Sequence, residues 1–112
     1  MRKLLNFFLV SLTLSIFGNA LGNGDVFEAE TTIKDHKFHP DIIEVPEGKR
    51  IRLTVRNDDN TIEEFESIDL KRERLVPANS HIHIIIAPLK PGRYDFFGEF
   101  YQETAKGCII AK

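Results

Sequence analysis

The sequence predicts an all-β sandwich, and three observations carry that reading. Beyond residue 22 no apolar repeat of helical period persists for a useful length. Apolar and polar residues alternate instead, most clearly where Ile51, Leu53 and Val55 intercalate with Arg50, Arg52, Thr54 and Arg56. Short β-branched runs are punctuated by turn signals at regular intervals, the pattern of sandwiches and barrels.

The elements follow in order. Val26 to Ile33 is β-branched and reads as the first strand. Ile42, Ile43 and Val45 form a short run that ends at Pro46-Glu47-Gly48, where Gly tolerates a positive φ. Arg50 to Arg56 is a half-buried strand, and Asn57-Asp58-Asp59-Asn60 is a polar loop. Lys71, Arg72, Glu73 and Arg74 make a mixed-charge run, read as a solvated edge or loop and secondarily as a docking surface. Leu75-Val76 leads into the turn Pro77-Ala78-Asn79-Ser80. His81 to Ala87 is a strand with Ile82, Ile84 and Ile86 on its core face. Tyr94 to Phe97 and Gly107 to Ala111 are the last two strands. Between them residues 98–106 form a loop or a short helical turn. Tyr94 and Phe96 share a face, and nine Phe with no Trp point to a Phe-rich core.

The N-terminus has the layout of a secretory signal over residues 1–22, leaving one domain over residues 23–112. Arg2 and Lys3 supply the positive charge, Leu4 to Phe17 is almost wholly apolar, and the small residues Gly18, Ala20 and Gly22 follow. Cleavage after Ala20 or Gly22 fits. The apolar run falls short of the roughly 20 residues of a membrane span, and an uncleaved anchor is the alternative. This places the protein in the periplasm or outside the cell, with no membrane span once the signal is removed. Hydrophobic residues at 42% and charged residues at 29% are globular composition and argue against disorder. Net charge is −2, and removing Arg2 and Lys3 would take it to −4. Without a basic run, nucleic-acid binding has no electrostatic support. Cys108 is the single cysteine, so packing alone must hold the fold, and its apolar surroundings mark it as a small buried hydrophobe.

Three blocks together resemble the cupredoxin family over nearly the whole of residues 23–112. They are Phe38-His39-Pro40-Asp41-Ile42-Ile43-Glu44-Val45-Pro46-Glu47-Gly48, then Ile51-Arg52-Leu53-Thr54-Val55-Arg56-Asn57, then Leu89-Lys90-Pro91-Gly92-Arg93-Tyr94-Asp95-Phe96-Phe97. The resemblance implies a Greek-key β-sandwich. The stretches Thr61-Ile62-Glu63-Glu64-Phe65-Glu66-Ser67 and Phe96-Phe97-Gly98-Glu99-Phe100 are similar to cupredoxin-like proteins that accompany bacterial ferrous-iron permease systems. That narrower resemblance implies periplasmic metal handling or electron transfer beside an iron permease.

A blue-copper site needs two His, a Cys and a weak axial Met. The resemblance puts the first His at Glu63, the Cys at Gly98, the second His at Tyr101 and the Met near Thr104 or Ala105. All four ligands are missing, so type 1 copper is not expected, and an electron-transfer role loses its redox centre. Carboxylates stand there instead, and these suit hard cations. The metal-site candidates are Glu63, Glu66, Glu99, Tyr101 and Glu103, on two loops that meet at one end of the sandwich. The ion is iron, or copper held in a non-blue mode. The counter-reading is a solvated acidic rim. Alternation bears on this: if Phe65 points inward, Glu63 points with it, while Glu64 and Glu66 face outward.

His81 and His83, two apart on a strand, share one face and are secondary metal candidates, with surface decoration as the simpler reading for want of a third ligand nearby in sequence. On a strand His36 and His39 would point to opposite faces, and they are read as structural. No nucleophile–base pair, phosphate loop or zinc spacing appears, so no enzyme activity is expected. Three functions remain. The first is metal handling with an iron permease system or another periplasmic protein. The second is a metal-free interaction module using Phe97, Phe100 and Tyr101. The third, and weakest without copper ligands, is a redox protein assisting ferrous-iron oxidation.

Overall fold

The structure is a computed structural model and describes residues 26–112. The predicted signal at residues 1–22 lies outside the described residues. Among the described residues nine strands form two sheets: β1 (Val26–Lys34), β2 (Lys37–His39), β3 (Ile42–Val45), β4 (Arg50–Asn57), β5 (Glu63–Ser67), β6 (Arg72–Val76), β7 (Ser80–Ile86), β8 (Gly92–Gly98) and β9 (Lys106–Ala111). One sheet runs β2-β1-β4-β7 and the other β3-β9-β8-β5-β6. Both are mixed, because β1 pairs parallel to β4 and β3 pairs parallel to β9 while the other ladders are antiparallel. A single 3-10 turn, Glu99–Tyr101, joins β8 to β9.

The alternation in the sequence becomes burial. Ile51, Leu53 and Val55 of β4 are fully buried, and Ile84 and Ile86 of β7 face them across the sheet, with Ile82 half-buried beside them. Phe38, Phe65 and Phe96 fill the centre of the sandwich. Phe38 meets Phe96 edge-on at 4.9 Å between ring centroids, and Phe65 stacks on Phe96 at 5.0 Å. Both geometries suit the aromatic quadrupole, and such pairs add about 0.5–1.5 kcal/mol beyond area burial. Gly48 takes φ +74° in the turn after β3, as that turn demands. Cys108 is buried, but on the outer side of its sheet, where it lines a shallow groove of about 530 Å³ with Ile42, Arg93, Asp95, Phe97 and Lys106.

One local reading changes, and two local features are new. Residues 63–67 are strand β5, where the reading from sequence placed a loop. Residues 37–39 form the short strand β2. His36 is on no strand: Asp35 and His36, with φ of 55° and 59°, are the two-residue turn between β1 and β2. Both turn positions require φ > 0, the signature of a type I′ hairpin.

The loops that carry the candidate site gather at one end. The Asp58 amide donates to the Ile33 carbonyl at 2.8 Å, and the Asn79 amide donates to the Asp59 carbonyl at 3.0 Å. Asn57 is the organiser of this end. Buried at the last position of β4, its Nδ2 donates to the carbonyls of Thr61 and Val76, and its Oδ1 accepts from the Asp59 amide. Every polar atom of this buried amide side chain is therefore used.

Candidate functional site

Phe65 points into the core, and the period of two does the rest. Glu63 and Ser67 turn inward with it, while Glu64 and Glu66 face outward. The five residues named from sequence therefore separate into three groups.

Glu63 is 2% exposed and stands alone among them. Its Oε1 accepts from the Glu64 amide at 2.8 Å and from the Phe100 amide at 2.9 Å. That second bond ties β5 to the 3-10 turn. Its Oε2 is buried with no hydrogen-bond partner, and it lies beside Gly98. The Gly98 backbone, at φ −96° and ψ 118°, is open to any residue. What requires glycine is room: a Cβ there would stand 2.6 Å from Glu63 Cδ and 2.8 Å from Ala105 Cβ. Glu63 is thus a clamp on the loop of residues 99–105, not a member of a carboxylate cluster.

The second group is the outer face of β5 and β6. Glu66 pairs directly with Glu73 in the ladder. Glu64, Glu66 and Glu73 each offer a carboxylate oxygen, and these oxygens lie within 4.8 Å of one another. Glu99, in the 3-10 turn, adds its like charge to Glu66. Partial burial, together with the neighbouring Glu73 and Glu99 carboxylates, pushes the Glu64 carboxyl above its ordinary value. Glu66 is raised by the same causes, with Glu99 as the nearer partner. Like charges held this close disfavour the ionised form. Glu73 was missed from sequence. Its run reads as mixed charge, and only the β5–β6 register brings it opposite Glu66.

The third group, Tyr101 and Glu103, is not part of the Glu64, Glu66 and Glu73 set. Tyr101 stacks on His36, ring centroids 3.5 Å apart and planes 14° from parallel. His36 in turn meets Asp59, Nδ1 to Oδ2 at 3.5 Å. Asp59 accepts from the backbone amides of Asp35 at 2.8 Å and His36 at 2.9 Å. Burial works to raise the Asp59 carboxyl, but these two donors, with the His36 and Lys34 charges, outweigh it and hold the group below its ordinary value. Glu103 is exposed and joins no ion pair or side-chain hydrogen bond among the described residues. His81 and His83 lie exposed on the outer face of β7, on the opposite sheet.

Two mixed sheets, Greek-key order and a loop end built around β5, β8 and β9 define the cupredoxin class of β-sandwich. The sequence model of the cupredoxin-like domain matches residues 5–111, and the chain belongs to that family. It is 57% identical over 88 residues to the uncharacterized protein RP394 of Rickettsia prowazekii (strain Madrid E), a match spanning 79% of this chain and 70% of that one. Among solved structures it is similar to the Cu(I)-bound metal-binding domain of the Cu(I)-exporting P-type ATPase CopA of Streptococcus pneumoniae D39. That match has a TM-score of 0.69 at 16% identity, over 79% of this chain and 87% of that one. It is also similar to auracyanin A, a blue copper protein of Chloroflexus aurantiacus, with a TM-score of 0.67 at 10% identity over 78% of this chain and 99% of that one. At these identities the likeness to solved structures is one of fold.

The residues present do not fit the blue copper that the fold family implies. The first-ligand position carries the Glu63 carboxylate, already bonded to two backbone amides. The thiolate position is Gly98, where even a Cβ meets that carboxylate. Tyr101 is committed to His36, and Ala105 is buried with no donor atom.

Proposed function

We propose that this chain is an exported, non-enzymatic metal-handling protein of periplasmic iron or copper uptake. It holds its ion through carboxylate oxygens rather than in a blue-copper centre. One observation carries the reading: Glu64, Glu66 and Glu73 present three carboxylate oxygens within 4.8 Å of one another on a solvent-accessible face. Such a set suits a hard cation, iron before Cu(I). Glu99 supplies a fourth carboxylate at its rim. The raised carboxyls support the same reading, because a bound cation relieves the repulsion that raises them. The similarity of residues 61–67 and 96–100 to proteins accompanying ferrous-iron permeases supports an iron-uptake setting. The CopA domain carries Cu(I) on a related fold, which supports metal transport as the wider role.

The test is calorimetric titration of the protein with Fe(II) under anaerobic conditions, then Fe(III), Mn(II) and Cu(II). Binding of one ion at micromolar affinity or better is expected. It weakens at least tenfold in Glu66→Gln, Glu73→Gln and Glu99→Gln and is untouched in Glu103→Gln. Absence of binding, or binding indifferent to these carboxylates, rejects the reading.

A second reading, a metal-free interaction module, draws on Phe100, which is 49% exposed at the tip of the 3-10 turn, and on Ile62, 44% exposed. Of the other two residues once grouped with Phe100, Tyr101 is engaged by His36 and Phe97 is half-buried, so Phe100 is its discriminating residue. Loss of partner binding in Phe100→Ala, with no response to metals, would select it.

A further inference from the structure

We propose that His81 and His83 form a second metal site, a two-imidazole chelate for a borderline divalent ion, Cu(II) foremost. It lies on the opposite face of the sandwich from the carboxylates. Three observations lead there. The two rings are neighbours, with centroids 5.2 Å apart and planes at 66°. Two nitrogens that share one ion, each at about 2.0–2.1 Å, lie no more than about 4 Å apart. With the centroids at 5.2 Å, turning the His81 ring about its own side-chain bonds would bring a nitrogen toward His83 without moving the strand.

One ring is already oriented. His83 Nδ1 shares a 2.9 Å hydrogen bond with Thr54 Oγ1. Thr54 is only 8% exposed and sits directly across the β4–β7 ladder from His83. This bond fixes the imidazole plane, and in the tautomer whose Nδ1–H donates to Thr54 it leaves Nε2 for a ligand. Holding the second ring nitrogen in this way is how proteins aim metal-binding histidines. The third observation is access. β7 is the edge of its sheet, and both imidazoles are exposed.

Two guanidiniums stand near the pair, and one of them is met by a carboxylate. Arg56 stands opposite His81 in the ladder, and Glu30 pairs with its guanidinium. Arg74 reaches the edge from β6 and is held by the His83 carbonyl at 3.3 Å. Imidazole suits Cu(II), Ni(II), Zn(II) and iron, and Cu(II) heads the affinity order, while manganese favours oxygen. Water completes the coordination. Two sites of different donor chemistry would thus stand on two faces of one domain.

The experiment is titration of the full chain with Cu(II), followed by electron paramagnetic resonance and by competition with Zn(II). The expected result is one Cu(II) whose spectrum shows coupling to imidazole nitrogen, with affinity reduced at least tenfold in His81→Ala and in His83→Ala. Thr54→Val, which removes only the orienting bond, weakens binding by a smaller factor. Glu66→Gln with Glu73→Gln leaves this signal unchanged, so failure of the carboxylate site and failure of this one are read separately. Cu(II) bound without nitrogen coupling, affinity unchanged in both His variants, or no Cu(II) bound at all overturns the proposal. Both His variants are exposed changes on a strand face, and unchanged circular dichroism confirms that they fold.

Discussion

Adding one methyl group at residue 98 measures how tightly Glu63 fills the end of the sandwich. The backbone there accepts alanine, so Gly98→Ala restricts only the unfolded chain, a gain of about 0.4–1 kcal/mol. The methyl, however, would stand 2.6 Å from Glu63 Cδ and 2.8 Å from Ala105 Cβ. Neither neighbour is a free end. The carboxylate is held by the Glu64 and Phe100 amides, and Ala105 is held by bonds from its amide to the Tyr101 carbonyl and from the Gly98 amide to its own carbonyl. Overpacking of this kind costs about 1–3 kcal/mol. The net is a loss of roughly 1–2 kcal/mol, read as a lower urea midpoint at unchanged slope. Glu63→Ala alone strands two amide donors at about 1–3 kcal/mol each, less whatever water recovers. In the double variant the new methyl enters space the carboxylate has left. The double loss therefore falls short of the sum by about 1 kcal/mol, well outside the additivity error of about 0.3–0.5 kcal/mol. Wild-type stability in Gly98→Ala, or strict additivity in the cycle, would refute the claim that the two residues fill one space.

Three further outcomes follow from the same contacts. Asp59 has its carboxyl held down in the fold, so its contribution to stability is present above the ordinary carboxylate range and is lost as pH falls through the depressed value. Urea midpoints measured from pH 7 to pH 2 should therefore drop less steeply in Asp59→Asn, which starts from a lower midpoint. Glu64 and Glu66 carry the opposite sign: raised in the fold, they favour the native state below the ordinary carboxylate range and oppose it as pH rises through their folded values. Glu73→Gln should then raise the midpoint at pH 7 and change it little at pH 3. Arg72 donates to the Ile85 carbonyl at 2.9 Å and Arg74 to the His83 carbonyl at 3.3 Å, capping the free edge of β7. Removing both in Arg72→Ala with Arg74→Ala uncovers that edge, and light scattering should report concentration-dependent association that the wild type lacks.

The parts of the fold legible in the sequence are those whose inward positions are apolar. β4, β7, β8 and β9 announce themselves this way. β5 does not, because two of its three inward residues are polar, Glu63 and Ser67. They are tolerated for reasons no local pattern can show. Glu63 Oε1 accepts from a backbone amide 37 residues away, and Ser67 donates to the Asp95 carbonyl at 2.6 Å and accepts from the Leu70 amide at 3.0 Å. β2 is three residues long and gives no period to read. The turn at His36 is equally hidden, because nothing in its own neighbourhood signals it. What stabilises the turn is the Asp59 carboxylate, received from the β4–β5 loop.

The candidate site divides along the same line. That Glu64 and Glu66 leave the core together follows from Phe65 alone. That Glu73 joins them depends on the β5–β6 register, and that Tyr101 leaves them depends on a ring 65 positions earlier in the chain. The missing copper ligands were equally legible, since a glycine and a glutamate cannot replace a thiolate and an imidazole. The structure adds that these two departures depend on each other. With a side chain at residue 98, the Glu63 carboxylate loses its place. With the native carboxylate in position, no side chain at residue 98 fits without a shift. The two positions therefore constrain one another physically, and a copper centre could be restored only by changing both.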